Sequence, residues 1–207
     1  MVLDKKLKEA ISQLPPAEKD KLIFRFLKRD LNLAKRLYFE LVSNDSVEDR
    51  RKQAKEKIVD WIDTTKERVK YSSPGMLLLE MRDATGVINQ HVKTTKDKYG
   101  EVYLQIFLLK EYLMIYNDNF KNSSERSTHT LNVYCITKAF KIMVLLKKIQ
   151  FDFTDDLSEI GCLFGENPLL MKASIHNGLD VNWLIMNKIP DDIEKIEKDL
   201  RQRGYLK

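Results

Sequence analysis

The stretch from Val102 to Tyr116 constrains the fold more than any other part of the chain. Val102, Tyr103, Ile106, Phe107, Leu108, Leu109, Leu113, Met114, Ile115 and Tyr116 leave almost no polar side on a helix drawn through it. A helix that is apolar all round is normally surrounded by other helices. Residues 101–119 are therefore expected as the central helix of an all-α protein. Gln105, Lys110 and Glu111 interrupt the run, and it is too short to span a bilayer, so no membrane partner is expected.

The flanking segments read as the neighbours this helix needs. Leu3, Leu7, Ala10, Ile11 and Leu14 form one apolar stripe at helical spacing. Pro15-Pro16 ends that helix and opens the next, since proline suits a first helical turn. Over 16–29 the apolar set is Leu22, Ile23, Phe26 and Leu27. Over 31–43 it is Ala34, Leu37, Tyr38 and Leu41, read as inward-facing. Ser46 to Asp49 has the outline of a capping box, with Asp in the place of the usual Glu or Gln. From there Ala54, Ile58, Trp61, Ile62 and Val69 hold one face to about residue 70. Ser73-Pro74 starts a fifth helix with Leu77, Met81, Ala84, Ile88 and His91 inward, and Gly100 reads as its separator from the central helix. Polar residues 121–128 read as a loop, followed by a helix to about 149 that carries Leu131, Cys135, Ala139 and Ile142 inward.

After Phe151 the helices become short. Their punctuation is Thr154 as a cap, Gly165, Asn167-Pro168, Asn177-Gly178 and Ile189-Pro190. The last helix, about 190–203, stops at Gly204, which suits a left-handed terminal residue. The string Asn177 to Asn182 resembles the turn of an ankyrin repeat, but it occurs once and such repeats need several copies. No segment alternates with period two between hairpin turns. The expectation is about nine or ten helices, arranged as an antiparallel bundle or a short α-solenoid-like array of helix pairs. They form one domain over 1–207, with a basic body at 1–150 and an acidic region of shorter helices at 151–207.

That division comes from charge. Lys+Arg number 36 and Asp+Glu 31. Residues 1–70 hold 18 and 13 of them, residues 71–150 hold 11 and 7, and residues 151–207 hold 7 and 11. On the second helix Lys21, Arg25, Lys28 and Arg29 fall within about 100° of arc, opposite the apolar set, and Lys35 and Arg36 follow. Six such cations on phosphates would give a log–log salt slope near about −5. Stacking aromatics are not evident beside the stripe, which disfavours nucleic acid. Arg50, Arg51, Lys52, Lys55 and Lys57 are diluted by Glu48, Asp49, Glu56 and Asp60 and read as a mixed-charge helix face.

Most local chemistries are missing. The histidines, His91, His129 and His176, are far apart in sequence, so no His-x-x-His or His-Glu-x-x-His metal pattern exists. There is no Cys-x-x-Cys, no glycine-rich phosphate loop and no nucleophile elbow. No metal or cofactor is expected. Glu125, Arg126 and His129 are spaced to meet on one helix face and form a weak polar cluster. Asp152, Asp155, Asp156 and Glu159 read as acids complementing a helix start. The N-terminal residues show no apolar signal core, so a cytoplasmic location with Cys135 and Cys162 reduced is expected. The leading expectation is a non-catalytic helical protein-interaction module, a scaffold or adaptor, whose partner is a protein with an acidic surface or a second copy. The alternatives are nucleic-acid or acidic-partner binding through residues 19–36, and an enzyme whose site is assembled from separate helices.

Overall fold

Local backbone chemistry sets the helix starts. The computed structural model describes residues 4–149 and 151–206; Leu3 lies outside them. Asp4 caps α1 (Lys5–Gln13), Pro16 sits in the first turn of α2 (Pro16–Arg29), and Asp30 caps α3 (Leu31–Leu41). The capping box forms as read: Ser46 Oγ accepts from the Asp49 N–H at 3.0 Å and Asp49 accepts from the Ser46 N–H at 2.9 Å, which starts α4 (Val47–Arg68). A 3-10 turn at Val69–Tyr71 leads to α5 (Pro74–Thr95), α6 (Lys98–Phe120) and α7 (Glu125–Leu146). The shorter helices are α8 (Thr154–Gly165), α9 (Pro168–His176), α10 (Asn182–Ile185) and α11 (Ile193–Gln202). Among the described residues there are eleven α-helices and no strand, one or two helices more than the periodicity suggests because the four-residue α10 is too short to carry a pattern.

The protein is an all-α helical bundle. α6 packs against α4, α5, α7 and α8. Leu104, Leu108, Leu109, Tyr112, Leu113 and Tyr116 of α6 are buried. Burial at this depth contributes about 1.5–3 kcal/mol for each large apolar side chain. The two tyrosines keep partners inside: Tyr112 Oη lies 3.2 Å from Thr65 Oγ1, and Tyr116 donates to Asn132 at 2.6 Å. One stripe of α6 departs from the all-round burial expected. Tyr99, Tyr103 and Phe107 are half-buried beside α4.

Gly100 does not separate two helices. α5 ends where Lys96 turns left-handed (φ 59°), and Asp97 caps α6 by accepting from the Gly100 N–H at 2.8 Å. A Cβ on Gly100 would stand 2.0 Å from Asp97 Oδ2 and 2.8 Å from Arg51 Nε. Glycine is required there for close approach. Likewise Thr154 is the first residue of α8 rather than its cap, and Asp152 accepts from its N–H at 2.9 Å.

The acidic region packs on the basic body through buried Leu157, Ile160, Phe164 and Ile193, with ion pairs at the rim. Lys110 of α6 meets Asp156 at 3.0 Å and also Glu159. Lys147 meets Asp191 at 2.8 Å and Lys148 meets Glu194 at 2.9 Å. Much of the acidity of residues 151–207 thus faces cations of the same chain. Among the described residues no helix is long and apolar enough to cross a membrane.

Candidate interaction surface

α1, α2 and α3 contain no buried residue. α2 packs on α3, and α3 packs on α5. The apolar stripes of this arm are therefore largely uncovered. Ile23, Phe24 and Phe26 of α2 are exposed, as are Leu31, Leu33, Tyr38 and Leu41 of α3. Tyr38 (59% exposed) and Leu41 (77%) are not inward-facing as their spacing suggests. With Leu7, Ile11 and Val42, ten large apolar side chains lie open along residues 4–42. At roughly half exposure they present about 1,000 Å² of side chain in total, spread over three helices.

The cations of the arm occupy the other side. Lys21, Arg25, Lys28, Arg29 and Lys35 are exposed. Arg36 is half-buried and paired with Glu40 at 2.7 Å. Phe24, 61% exposed, sits beside Lys28 on the helix, so one aromatic ring does border the basic stripe.

The weak polar cluster is divided. Glu125 pairs with Lys172. Glu125 and His129 share the wall of a cleft of about 270 Å³ with Asn132, His176 and Asn177, and Arg126 does not line it. Among the described residues no group of three His, Cys, Asp or Glu side chains stands where it could hold a metal ion.

A larger groove, about 670 Å³, runs between α4 and α6 and is walled by Arg51, Lys52, Lys55, Glu56, Tyr99 and Tyr103. Two of its three cations, Arg51 and Lys55, are already engaged. Arg51 binds Asp97 at 2.7 and 3.1 Å and lies 4.7 Å from the centre of the Tyr99 ring. Lys55 donates to Tyr103 Oη and lies 4.7 Å from the centre of the Phe107 ring. His91 Nε2 is 3.0 Å from Asp97 Oδ2. Burial pushes the Asp97 carboxyl up, and the hydrogen bonds from His91, Arg51 and the Gly100 N–H outweigh it, holding the group well below the usual carboxylate range. Sequence spacing reads this α4 face as ordinary because the aromatic floor comes from a helix 48 residues away.

Lys138 of α7 is 6% exposed and donates to Gln105 Oε1 of α6 at 2.8 Å. Burial, with Lys141 nearby, brings its ammonium down to about 7. The Nε2 of Gln105 has no hydrogen-bond partner among the described residues. Cys135 is buried, which pushes its thiol up to about 12, and Cys162 on α8 is exposed. A low-pKa thiol nucleophile at Cys135 is therefore disfavoured.

Comparison with protein-family models, with curated proteins and with solved structures gives no match to this chain.

Proposed function

We propose that the chain is a non-catalytic, cytoplasmic protein-interaction module that docks through the α1–α3 arm. The observation that carries this reading is the arm itself: three successive amphipathic helices with no buried residue. Helices of 9 to 14 residues are marginal in water without a covered apolar face. A partner that buries Ile23 and Phe26 supplies that cover. The polar groups elsewhere support a structural role, since Arg51 and His91 both bind Asp97 and Lys138 binds Gln105.

The test compares the native chain with Ile23→Ser plus Phe26→Ser at matched melting temperature. Affinity capture from the same cells should retain a polypeptide on the native chain and lose it on the variant. Identical retention by both would sink the reading. So would tight, salt-sensitive binding of a generic 20-nucleotide strand in fluorescence anisotropy that vanishes with Lys21→Glu plus Arg25→Glu; that result would move the function to nucleic acid.

A further inference from the structure

We infer that the arm takes an acidic amphipathic helix of another protein, laid along α2 with its apolar side on Leu22, Ile23 and Phe26 and its carboxylates on Arg25 and Arg29. The inference rests on the docking role of the arm proposed above and names the chemistry of the occupant. Three observations support it.

The first is charge without a partner. Residues 4–42 hold ten Lys+Arg and six Asp+Glu, a net +4 within the chain's +5. Among the described residues Arg36 is the only one of those ten cations in an ion pair. Three of the six acids are engaged inside the arm: Asp4 and Asp30 cap helices, and Glu40 holds Arg36. In the body, Lys110, Lys141, Lys147 and Lys148 each meet a carboxylate of their own chain. The carboxylates that complement the arm are thus not supplied by the chain itself. Complementary charge selects which partner is admitted.

The second is the spacing on α2. Lys21, Arg25 and Arg29 recur every fourth residue and form one ridge along the helix. Leu22 and Phe26 form the next ridge, each about 60° from Arg25 and Arg29. Ile23 and Leu27 form the one after. A cationic ridge therefore runs beside two apolar ones. A helix laid across them presents apolar and acidic rows at the same spacing. An extended peptide does not match that period, and the arm has no strand for it to join.

The third is a cleft of about 410 Å³, walled by Leu14 of α1 and by Glu18, Lys21, Leu22 and Arg25 of α2. Its two leucines are half-buried, and its rim carries two cations against one acid. It suits one large apolar side chain with a carboxylate beside it. A nucleic-acid strand would meet the cations and leave Ile23 and Phe26, on the far side of Leu22, open to water. A second copy of α2 would bring the same three cations.

Selection of displayed helical peptides of about 16 residues (~24 Å) on the full chain tests the inference, with fluorescence anisotropy of an enriched peptide. Enriched sequences should carry an apolar row at helical spacing bordered by Asp or Glu. Arg25→Glu plus Arg29→Glu should weaken such a peptide by about tenfold or more, and so should about 0.5 M salt. The same peptide with Lys in place of each acid should bind that variant and not the native chain, which separates lost pairing from lost folding. Ile23→Ser plus Phe26→Ser should abolish binding at unchanged helical content. Enrichment of neutral or basic peptides, of peptides without helical spacing, or of none overturns the inference. So does an enriched acidic peptide indifferent to either double variant. A dimer in sedimentation velocity, or binding of phosphatidylserine vesicles, that Ile23→Ser plus Phe26→Ser abolishes while no peptide is enriched overturns it in favour of a second copy or a membrane surface. The docking role stands through any failure of the peptide if affinity capture still loses its polypeptide with Ile23→Ser plus Phe26→Ser. Capture indifferent to that variant overturns the docking role and the inference with it.

Discussion

Arg51 grips Asp97 with two hydrogen bonds, Nε at 2.7 Å and Nη2 at 3.1 Å, and so ties the first turns of α4 to the start of α6. The same carboxylate accepts from Gly100 N–H and sits 3.0 Å from His91 of α5. One 8%-exposed aspartate therefore joins three helices.

Asp97→Asn should lower the unfolding free energy by about 2–4 kcal/mol, since it leaves Arg51 partly buried without its counter-charge. Urea denaturation would show the loss. Asp97 titrates lower in the folded chain than unfolded, so its contribution is present above about pH 4 and fades as pH falls below that. The native chain should lose stability in acid more steeply than Asp97→Asn. Equal acid limbs for the two proteins would refute the assignment.

Lys138 acts on the alkaline side, with the same sign. Folded, it releases its proton near about 7; unfolded, near the ordinary 10.5. Between those values the unfolded chain binds more protons, so stability should rise with pH, by up to about 1.4 kcal/mol per unit. Gln105→Leu with Lys138→Met removes both halves of the buried pair and should flatten this slope while stabilising the protein at pH 6. Lys138→Met alone should do worse than the double change, because it strands the Gln105 oxygen.

Gly161 holds α8 against α10. A Cβ there would stand 2.5 Å from Ile185 Cγ1 and 2.9 Å from the Ile185 backbone nitrogen. Gly161→Ala should cost about 1–3 kcal/mol in thermal or chemical unfolding. Trimming the side chain with Ile185→Ala should recover little, since the backbone contact remains. Full recovery would show that the contact is only with the side chain.

Core and arm should respond differently to truncation. Leu109→Ala, at a fully buried site on α6, should cost about 2–5 kcal/mol. Ile23→Ser at a half-exposed arm position should change the stability of dilute protein by no more than about 0.5 kcal/mol. A large loss at Ile23 in dilute solution would mean that the arm is covered within one chain.

The sequence reveals what is local. Ser46 and Asp49 announce α4 because capping chemistry spans three residues, and the apolar density of Leu104 to Tyr116 announces the central helix because burial on all sides needs no partner to be named. Asp97 stays hidden behind Gly100, since the arginine that holds it lies 46 residues away. The α4–α6 groove is missed for the same reason, its lysines and tyrosines coming from different helices. Periodicity misleads at Tyr38 and Leu41. An apolar stripe says that a face is suited to cover, not that the same chain supplies it. Of the six cations singled out on α2 and α3, Arg36 folds onto Glu40, which a helical wheel of α2 does not show.

The contrast between the two cysteines has a practical consequence. With Cys135 sealed in the core as a thiol and Cys162 open on α8, the unmodified chain offers one attachment point for a maleimide dye or a nitroxide. A spectroscopist can place a reporter on α8, well away in sequence from the arm, without redesigning the molecule. Distances between two such reporters would then serve as an independent ruler for any assembly the protein forms.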